Sequence, residues 1–331
     1  MTRAFSWNEK LLNGNREGIL EANRQNLARA IRRFGRIDLI HGHVSYPAGW
    51  VAMRLCEETR LPYVVTEHMG PFPLQVYESP NGSLKSFIRL PLLRADARIA
   101  VSPALCDRVA SFGIPRPEYV PNVIDERLYT IGADEPASRF TFFTLGGMQP
   151  VKGFPDLLQA ISQFVRGLSA EDRARVEFRL GGYGPYLRAY QDQCRRLDLD
   201  PWVVWLGFLS REEARREFHR CHCYALASHH ESFGVVLVEA MASGKPVIAT
   251  RCGGPDALVT PENGILVEVG RPDQLAEAMK AMFHGEKQYD PRLIRETCLR
   301  EFSRGVVVKR LEQIYLRTLQ PTDGARPVPG R

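Results

Sequence analysis

Short apolar runs alternate with segments of helical spacing along almost the whole chain. The runs include IDLIHGH (37–43), LPYVVTEH (61–68) and VVWLG (203–207), and the helical segments include 153–167 and 272–284. Strands that are apolar on both faces are typical of parallel sheets covered by helices on both sides. The sequence therefore predicts an α/β fold. In open sheets of this kind, ligands bind beyond the carboxyl ends of the strands.

The alternation occurs in two series, which predicts two domains. A polar, turn-rich stretch at 126–139 separates the two series, and the chain has 331 residues, enough for two hydrophobic cores. We predict Rossmann-like domains at residues 1–130 and 131–320, with the last helix packing back on the first domain. The tail at 321–331, PTDGARPVPGR, has the composition of a disordered segment.

Composition and charge exclude several classes of protein. The net charge is only +6, and arginine-rich tracts, zinc-finger spacing and RNP-like aromatic runs are absent, so nucleic acid is not an expected partner. The N-terminus lacks the apolar core of a signal peptide, and no run of about 18 apolar residues occurs. Seven scattered cysteines fit a reducing compartment. We expect a cytoplasmic protein.

The stretch HHESFGVVLVEAMASGKPVIAT (229–250) places a carboxylate on each side of a predicted helix start. The helix is predicted to begin near Ser232 or Phe233. First-turn amides lack intrahelical acceptors and lie at the positive end of the helix dipole, so they suit an anion such as a diphosphate. Glu231 and Glu239 would then accept hydrogen bonds from hydroxyl groups on either side of the bound diphosphate. The alternative is that Ser232 caps the helix and both glutamates are solvated, and spacing alone does not separate the two.

The motif Glu231–x7–Glu239 resembles the signature of retaining glycosyltransferases with the two-domain GT-B fold, in the large family-4 group. Further segments resemble the same group in the same order: AMASGKPVI (240–248), GGPD (253–256) and NGILV (263–267). The resemblance runs from about residue 37 to 318. It implies two Rossmann-like domains facing a cleft. It also implies transfer of a sugar from a nucleoside diphosphate sugar to an acceptor hydroxyl, with retention at the anomeric carbon.

The resemblance assigns roles to residues of the second domain. In such enzymes, the glutamate at the position of Glu231 contacts hydroxyls of the transferred sugar, and the glutamate at the position of Glu239 binds the ribose. The backbone that holds the donor diphosphate corresponds here to Ser232, Phe233, Gly234 and Val235. The backbone at Phe208 and Leu209 would lie near the nucleobase. A plain strand-to-helix turn explains these last two residues equally well.

A glycine replaces a family arginine in the first loop of the second domain. The family has Gly-Arg-x-x-x-x-Lys-Gly there, and its arginine and lysine grip the diphosphate, whereas this chain has GGMQPVKG (146–153). Lys152 is present, and we count Gly146 and Gly147 among the donor-binding residues, but Gly147 stands at the arginine's position. Because a bidentate clamp is lost, we expect weaker donor binding or compensation elsewhere. The alternative for Lys152 is a solvated lysine, although a cation at a helix start is unfavourable unless an anion is bound.

Histidines follow two strands of the first domain. TEH (66–68) matches the strand end at which the family places a histidine beside the sugar. We predict that His68 contacts the sugar or the reacting centre, although a lone histidine is more often structural. His41 and His43 are weaker candidates. The predicted catalytic residues are thus Glu231, His68 and Lys152.

No metal and no cofactor beyond the donor substrate is expected. DLD (198–200) resembles the Asp-x-Asp metal motif of the other main glycosyltransferase fold, but it lies beside Pro201 in a predicted turn. CHC (221–223) has ligand residue types without a second ligand pair nearby. The leaving diphosphate would therefore be stabilised by helix amides and Lys152. The resemblance implies front-face attack, with the departing phosphate taking the acceptor proton.

The first domain has four predicted strands where the family has six or seven, so the resemblance implies that an N-terminal strand and glycine-rich loop are missing. Three alternatives follow. The chain is an active retaining glycosyltransferase of cell-surface polysaccharide or glycolipid synthesis, a GT-B-like sugar-nucleotide epimerase, or a non-catalytic nucleotide-sugar-binding protein. The Glu231–x7–Glu239 motif and Lys152 argue against the epimerase.

Residues 83–98 combine basic and apolar side chains on one predicted helix, interrupted at Pro91. A basic amphipathic helix can lie on anionic lipid. Peripheral contact with the inner face of the membrane would suit a glycan or lipid-linked acceptor. A helix that faces the core and solvates its basic side is the alternative.

Overall fold

The computed structural model describes residues 15–132 and 138–320. The chain divides into two compact units, each with its own parallel sheet, which confirms the predicted α/β class with two parallel-sheet domains. Among the described residues, the first unit comprises 15–101, 106–120 and 308–320, and the second comprises 102–105, 121–132 and 138–307. The predicted tail at 321–331 lies outside the described residues.

A four-stranded sheet in the order β1-β2-β3-β4 forms the first unit. Its strands are β1 (Ile40–His43), β2 (Tyr63–Glu67), β3 (Ala97–Ala100) and β4 (Glu118–Tyr119). The helices of this part of the chain are α1 (Arg16–Phe34), α2 (Trp50–Thr59), α3 (Ser86–Arg94) and α4 (Pro103–Ala110). Every residue of β2 is buried, as expected of an apolar strand in the interior of a parallel sheet. In the register of β1 and β2, His43 lies opposite Thr66.

Helix α3 continues through Pro91, at which the sequence predicted an interruption. Ile88 and Leu92 of this helix are fully buried. A proline inside a helix removes one amide hydrogen bond, and its ring crowds the carbonyl four residues earlier. Burial of these two side chains offsets that cost and holds the helix together. Ile88 and Leu92 belong to the predicted amphipathic helix, and in the structure both side chains pack in the core and not on the surface. Among the described residues, no helix is long and apolar enough to cross a membrane.

A six-stranded sheet in the order β10-β9-β8-β5-β6-β7 forms the second unit. Its strands are β5 (Phe140–Leu145), β6 (Val176–Gly181), β7 (Val203–Gly207), β8 (Cys223–Leu226), β9 (Val247–Thr250) and β10 (Gly264–Val267). The helices that follow β5, β6 and β7 are α5 (Phe154–Gly167), α6 (Ala170–Ala174), α7 (Leu187–Arg196) and α8 (Arg211–Arg220). The later helices are α9 (Val235–Ala242), α10 (Pro255–Leu258), α11 (Pro272–His284), α12 (Pro291–Phe302) and α13 (Arg304–Leu319).

Stacked aromatic rings form the centre of the second unit's core. Phe142 of β5 and Phe178 of β6 are parallel, with ring centroids 5.1 Å apart, and Phe164 of α5 packs edge-on against both. Burial of side chains of this size is the main source of stability in such a core. The packed core fixes the sheet and thereby the loops at the carboxyl ends of its strands.

The predicted boundary at residue 130 falls inside the second unit. Tyr129 is buried, and the guanidinium of Arg295 on α12 donates hydrogen bonds to the carbonyl oxygens of Glu126 and Tyr129. These contacts hold the segment before β5 against the second unit. The first unit takes in residues from 308 onward, where Tyr315 of α13 is hydrogen-bonded to His41.

Candidate functional site

The connection from β8 to α9 carries four of the predicted donor-binding residues, Glu231, Ser232, Phe233 and Gly234. Glu231 is extended and pairs with Gly253 in an isolated parallel bridge. Gly234 has a φ of 99° and is the N-cap, so α9 begins at Val235 rather than near Ser232. The left-handed region is accessible to glycine at little cost and cannot continue a helix, which explains the later start.

The start of α9 presents amide groups without protein acceptors. Gly234, as N-cap, has no side chain to accept from the first turn. In the part of the chain that the structure describes, the amides of Gly234, Val235 and Val236 donate to no protein atom. Val235 is exposed, whereas the Phe233 ring is buried against Phe302 with centroids 5.8 Å apart. These amides, at the positive end of the helix dipole, form a site suited to an anion.

Lys152 and Glu231 form an ion pair beside this helix start. Lys152 lies at the end of a 3₁₀ turn, Pro150–Lys152, and its Nζ is 2.6 Å from Glu231 Oε1. The fully buried Ser228 donates from Oγ to the same oxygen at 2.8 Å. The lysine side chain is 29% exposed and the glutamate 12%. One cation and one carboxylate, both predicted from sequence, are thus brought together at the mouth of the anion site.

A glycine and a side-chain hydrogen bond hold the lysine's loop against the end of β8. Gly153 has a φ of 65°, and a Cβ there would lie 1.8 Å from the carbonyl oxygen of Ala227. His229 donates from its amide to Val151 at 2.8 Å, and its Nε2 is 2.7 Å from Asp156 Oδ2. The close backbone approach requires glycine. The position of Lys152 is therefore set by the backbone on both sides of it.

The other predicted backbone contacts lie at strand ends of the same sheet. Gly146 donates to Gly181 at 3.1 Å and thereby extends the pairing of β5 with β6. Gly147 is exposed, and a Cβ there would meet nothing within 4 Å. Phe208 is 78% exposed just after β7, while Leu209 packs over Gly181. An exposed aromatic side chain beside a strand end is available to stack on a flat ligand.

Glu239 is engaged by a residue that the sequence did not single out. The hydroxyl of Tyr129 donates to Glu239 Oε1 at 2.7 Å. Burial raises the pKa of Glu239, and the hydrogen bond from Tyr129 and the charge of Arg211 oppose that rise. The carboxylate lies on α9, facing the segment before β5. Sequence offered no signal for this pair because Tyr129 lies in the turn-rich stretch between the two predicted domains.

The first unit carries a separate row of histidines at the carboxyl ends of its strands. His43 Nδ1 and His68 Nε2 share a hydrogen bond of 2.9 Å, and the His41 and His43 rings stack with centroids 4.4 Å apart. His41 is also hydrogen-bonded to Tyr315 and Thr66, each at 2.7 Å. Burial first, and then the two neighbouring histidines, lower the pKa of His41 to about 4. The structure thus joins His68 to His43 directly and to His41 through His43.

A buried carboxylate organises the turn that carries His68. Glu67 is fully buried and accepts hydrogen bonds from the amides of Ser45, His68 and Met69 at 2.8 to 2.9 Å. Burial raises the pKa of Glu67, and these hydrogen bonds oppose the rise. A buried carboxylate with several amide donors fixes the backbone around it. The placement of the imidazole of His68 follows from that fixed backbone.

Within residues 15–132 and 138–320, no group of three or more His, Cys, Asp or Glu side chains is arranged to hold a metal ion. Asp198 lies in a turn with a φ of 57°. Cys221 and Cys223 are buried, and burial raises the pKa of both thiols. His222 accepts a hydrogen bond from the Thr141 amide at 3.0 Å. These cysteine and histidine side chains belong to the core around β8.

Two family models match the chain in succession. Glycosyltransferase Family 4 matches residues 9–128, and Glycosyl transferases group 1 matches residues 132–296. The chain is similar to N-acetyl-alpha-D-glucosaminyl L-malate synthase of Bacillus anthracis, with 27% identity over 302 residues that cover 86% of this chain and 76% of that protein.

Two solved structures illustrate the similarity of the fold. Sucrose-phosphate synthase from Thermosynechococcus elongatus matches with a TM-score of 0.75 and 22% identity, covering 93% of this chain and 79% of that chain. Anabaena HepE, crystallised in complex with UDP, matches with a TM-score of 0.73 and 23% identity, covering 88% of this chain and 81% of that chain. At these identities the likeness shows the fold.

Proposed function

Because the chain belongs to the GT-B glycosyltransferases of group 1, we propose that it moves a sugar from a nucleoside diphosphate sugar to an acceptor hydroxyl with retention at the anomeric carbon. The observation that carries the proposal is the ion pair of Lys152 and Glu231 beside the open amides of α9. Amide dipoles and a cation suit a diphosphate, and the carboxylate suits hydroxyls of the sugar attached to it.

Each residue has a distinct task in the proposed reaction. The amides of Gly234 and Val235 and the ammonium of Lys152 stabilise the charge that develops on the departing diphosphate, so no metal ion is required. Glu231 orients the sugar by accepting from its hydroxyls, and Glu239 accepts from the ribose. The acceptor attacks the face from which the diphosphate leaves, and the diphosphate takes the acceptor proton. His68 contacts the sugar beside the reacting carbon.

Uridine is the first base to test, because HepE has been crystallised with UDP and with UDP-glucose. We propose a glycan or lipid-linked acceptor and a role in cell-surface polysaccharide or glycolipid synthesis at the cytoplasmic face of a membrane. The mild positive charge of the chain favours contact with anionic lipid. Exposed Phe208 after β7 is available to stack on the base.

The test begins with thermal unfolding in the presence of UDP, GDP, ADP and their sugars. A ligand that binds only the folded state raises the unfolding temperature by mass action. The nucleoside diphosphate sugar with the largest shift then serves as donor in transfer assays of wild type, Glu231→Ala and the control Glu277→Ala, whose exposed side chain lies on α11. We expect Glu231→Ala to lose transfer while nucleotide binding persists, and Glu277→Ala to resemble wild type.

Three other results would change the conclusion. A Glu231→Ala variant that transfers sugar normally would remove the assigned role of this carboxylate. Conversion of the donor alone into an epimeric sugar nucleotide would favour an epimerase. Nucleotide binding by the wild type without transfer to any glycan or lipid-linked acceptor tested would favour a non-catalytic binding protein.

A further inference from the structure

The hydroxyl of Tyr129 holds one of the two oxygens of Glu239. It donates to Oε1 at 2.7 Å, and the tyrosine side chain is almost completely buried, at 4% exposure. The ring packs edge-on against Phe218 of α8, with centroids 5.9 Å apart. A buried hydroxyl that donates to a carboxylate makes one of the stronger hydrogen bonds of a protein interior.

Arg295 fixes the tyrosine relative to the helix that carries Glu239. Its guanidinium donates to the carbonyl oxygens of Tyr129 and of Ala242, the last residue of α9. It also donates to Glu126 at 2.9 Å. One planar group thus ties the backbone of Tyr129 directly to the end of α9. The distance between the tyrosine hydroxyl and the carboxylate is therefore set by the backbone and not by the surface side chains.

Because Tyr129 occupies Oε1, Oε2 is the glutamate oxygen without a hydrogen-bond partner among the described residues. The hydrogen bond also favours the ionised carboxylate, whose pKa burial raises. A fixed carboxylate with one available oxygen is a selective acceptor for a hydroxyl group. A carboxylate that rotated freely would offer either oxygen and would lose more conformational entropy on binding.

We propose that Tyr129 is a positioning residue that orients Glu239 toward a ribose hydroxyl and thereby sets the preference for ribonucleotides over deoxyribonucleotides. The proposal rests on the proposed function, in which Glu239 binds the ribose. Tyr129 itself touches the carboxylate and not the ligand. Its effect must therefore disappear when the ligand lacks the hydroxyl that Glu239 recognises.

The experiment pairs removal of the tyrosine hydroxyl with removal of a ligand hydroxyl. Dissociation constants of UDP, 2′-deoxy-UDP and 3′-deoxy-UDP are measured by calorimetry for wild type and Tyr129→Phe, with the GDP and ADP series run in parallel. We expect wild type to bind one deoxynucleotide about 10-fold or more weakly than its ribonucleotide, the effect of losing a hydrogen bond to a charged group. In Tyr129→Phe that ratio should fall at least about threefold, mainly through weaker binding of the ribonucleotide.

Two further variants separate positioning from packing. Tyr190→Phe removes a buried hydroxyl that has no hydrogen-bond partner in the described structure, and it should leave the ratio unchanged. Glu239→Gln should lower the ratio, and the double variant with Tyr129→Phe should lower it no further. In Tyr129→Phe the partly buried carboxylate of Glu239 has lost its hydrogen-bond donor, which destabilises the fold. The double variant replaces that carboxylate by an amide, so it is expected to fold even if Tyr129→Phe does not.

The outcomes distinguish this inference from the proposed function. If the wild type binds none of the nucleotides, the proposed function fails and this inference fails with it. We expect the wild type to bind a ribonucleotide more tightly than its deoxy forms. If it does, and Tyr129→Phe weakens the binding of both classes by the same factor or leaves both unchanged, only the positioning role of Tyr129 is overturned. A double variant with a lower ratio than Glu239→Gln would overturn it as well, because Tyr129 would then act by another route.

Discussion

Lys152 Nζ lies 2.6 Å from Glu231 Oε1, although the two residues are 79 positions apart in the sequence. The buried hydroxyl of Ser228 donates to the same oxygen, so the carboxylate is oriented from two sides. The cation is thereby held against Glu231, which precedes the N-cap of α9, Gly234, and a lysine near a helix start is electrostatically unfavourable unless negative charge accompanies it. The arrangement keeps Lys152 beside the amides that we propose hold the diphosphate.

Replacement of Lys152 by methionine should impair catalysis more than folding. The Lys152→Met side chain keeps the apolar stem and removes the charge that balances the developing phosphate charge. We expect kcat to fall about 10²- to 10³-fold, the effect of losing one electrostatic stabiliser of a transition state. Lys280→Met on α11, whose lysine is exposed, is the matched control. Turnover of Lys152→Met within threefold of wild type would exclude the assigned role.

Introduction of the family's arginine at Gly147 should strengthen donor binding. A Cβ at this exposed glycine meets nothing within 4 Å, so Gly147→Arg should fold as stably as wild type. An added guanidinium that reaches the diphosphate should lower the dissociation constant of the nucleoside diphosphate about three- to tenfold. Calorimetric titration tests this, with Gly147→Ala as control. Binding by Gly147→Arg equal to Gly147→Ala would show that the side chain does not reach the anion.

Substitution of Gly153 should destabilise the second unit. In Gly153→Ala the methyl group would lie 1.8 Å from the Ala227 carbonyl oxygen at a φ of 65°. Both the contact and the backbone strain must be relieved, which costs about 3 kcal/mol or more of unfolding free energy. Urea denaturation compares this variant with Gly147→Ala, which should change stability by less than about 1 kcal/mol. Equal stability of the two variants would contradict the close approach seen here.

Protonation of His41 should contribute to acid destabilisation of the first unit. Its pKa is about 4 in the folded chain and about 6.5 when unfolded. Between these values the unfolded state binds the proton and the folded state does not, so stability falls as pH decreases from 6.5 to 4. In a partly solvated site the loss is about 2 kcal/mol at most.

The comparison with His41→Gln isolates this effect. Glutamine can hydrogen-bond to Tyr315 and Thr66 but does not titrate. Urea midpoints measured between pH 7 and pH 4 should decrease less for His41→Gln than for wild type. Parallel decreases in the two proteins would show that other groups carry the pH dependence.

Much of the fold could be predicted because local patterns and packing agree. The strand at 203–207 and the helix at 272–284 have the predicted bounds. The helix is delimited by a proline at its start and by Gly285, with a φ of 64°, at its end. The start of α9 differs from the prediction near Ser232 or Phe233 because Gly234 adopts a φ of 99°, and glycine populates positive and negative φ about equally, so the sequence does not reveal its conformation. The short helices α6 and α10 have too few residues to show a period.

The candidate site was predictable only in part. The motif resemblance led to Glu231, Glu239 and Lys152, and the structure adds that the first and last are paired. The motif resemblance could not reveal that Ser228 donates a hydrogen bond to Glu231 or that Tyr129 donates one to Glu239. Such partners lie far apart in sequence or in an irregular segment, and a side-chain hydrogen bond leaves no periodic pattern.

The most direct test of the account is a crystal structure of the protein soaked with the nucleoside diphosphate that raises its unfolding temperature most. We predict that the diphosphate oxygens lie within 3.2 Å of the amide nitrogens of Gly234 or Val235 and of Lys152 Nζ, the range of a normal hydrogen bond of about 2.7 to 3.2 Å, with the ribose against Glu239. A nucleotide bound elsewhere, with the start of α9 unoccupied, would contradict the proposal that this corner holds an activated sugar.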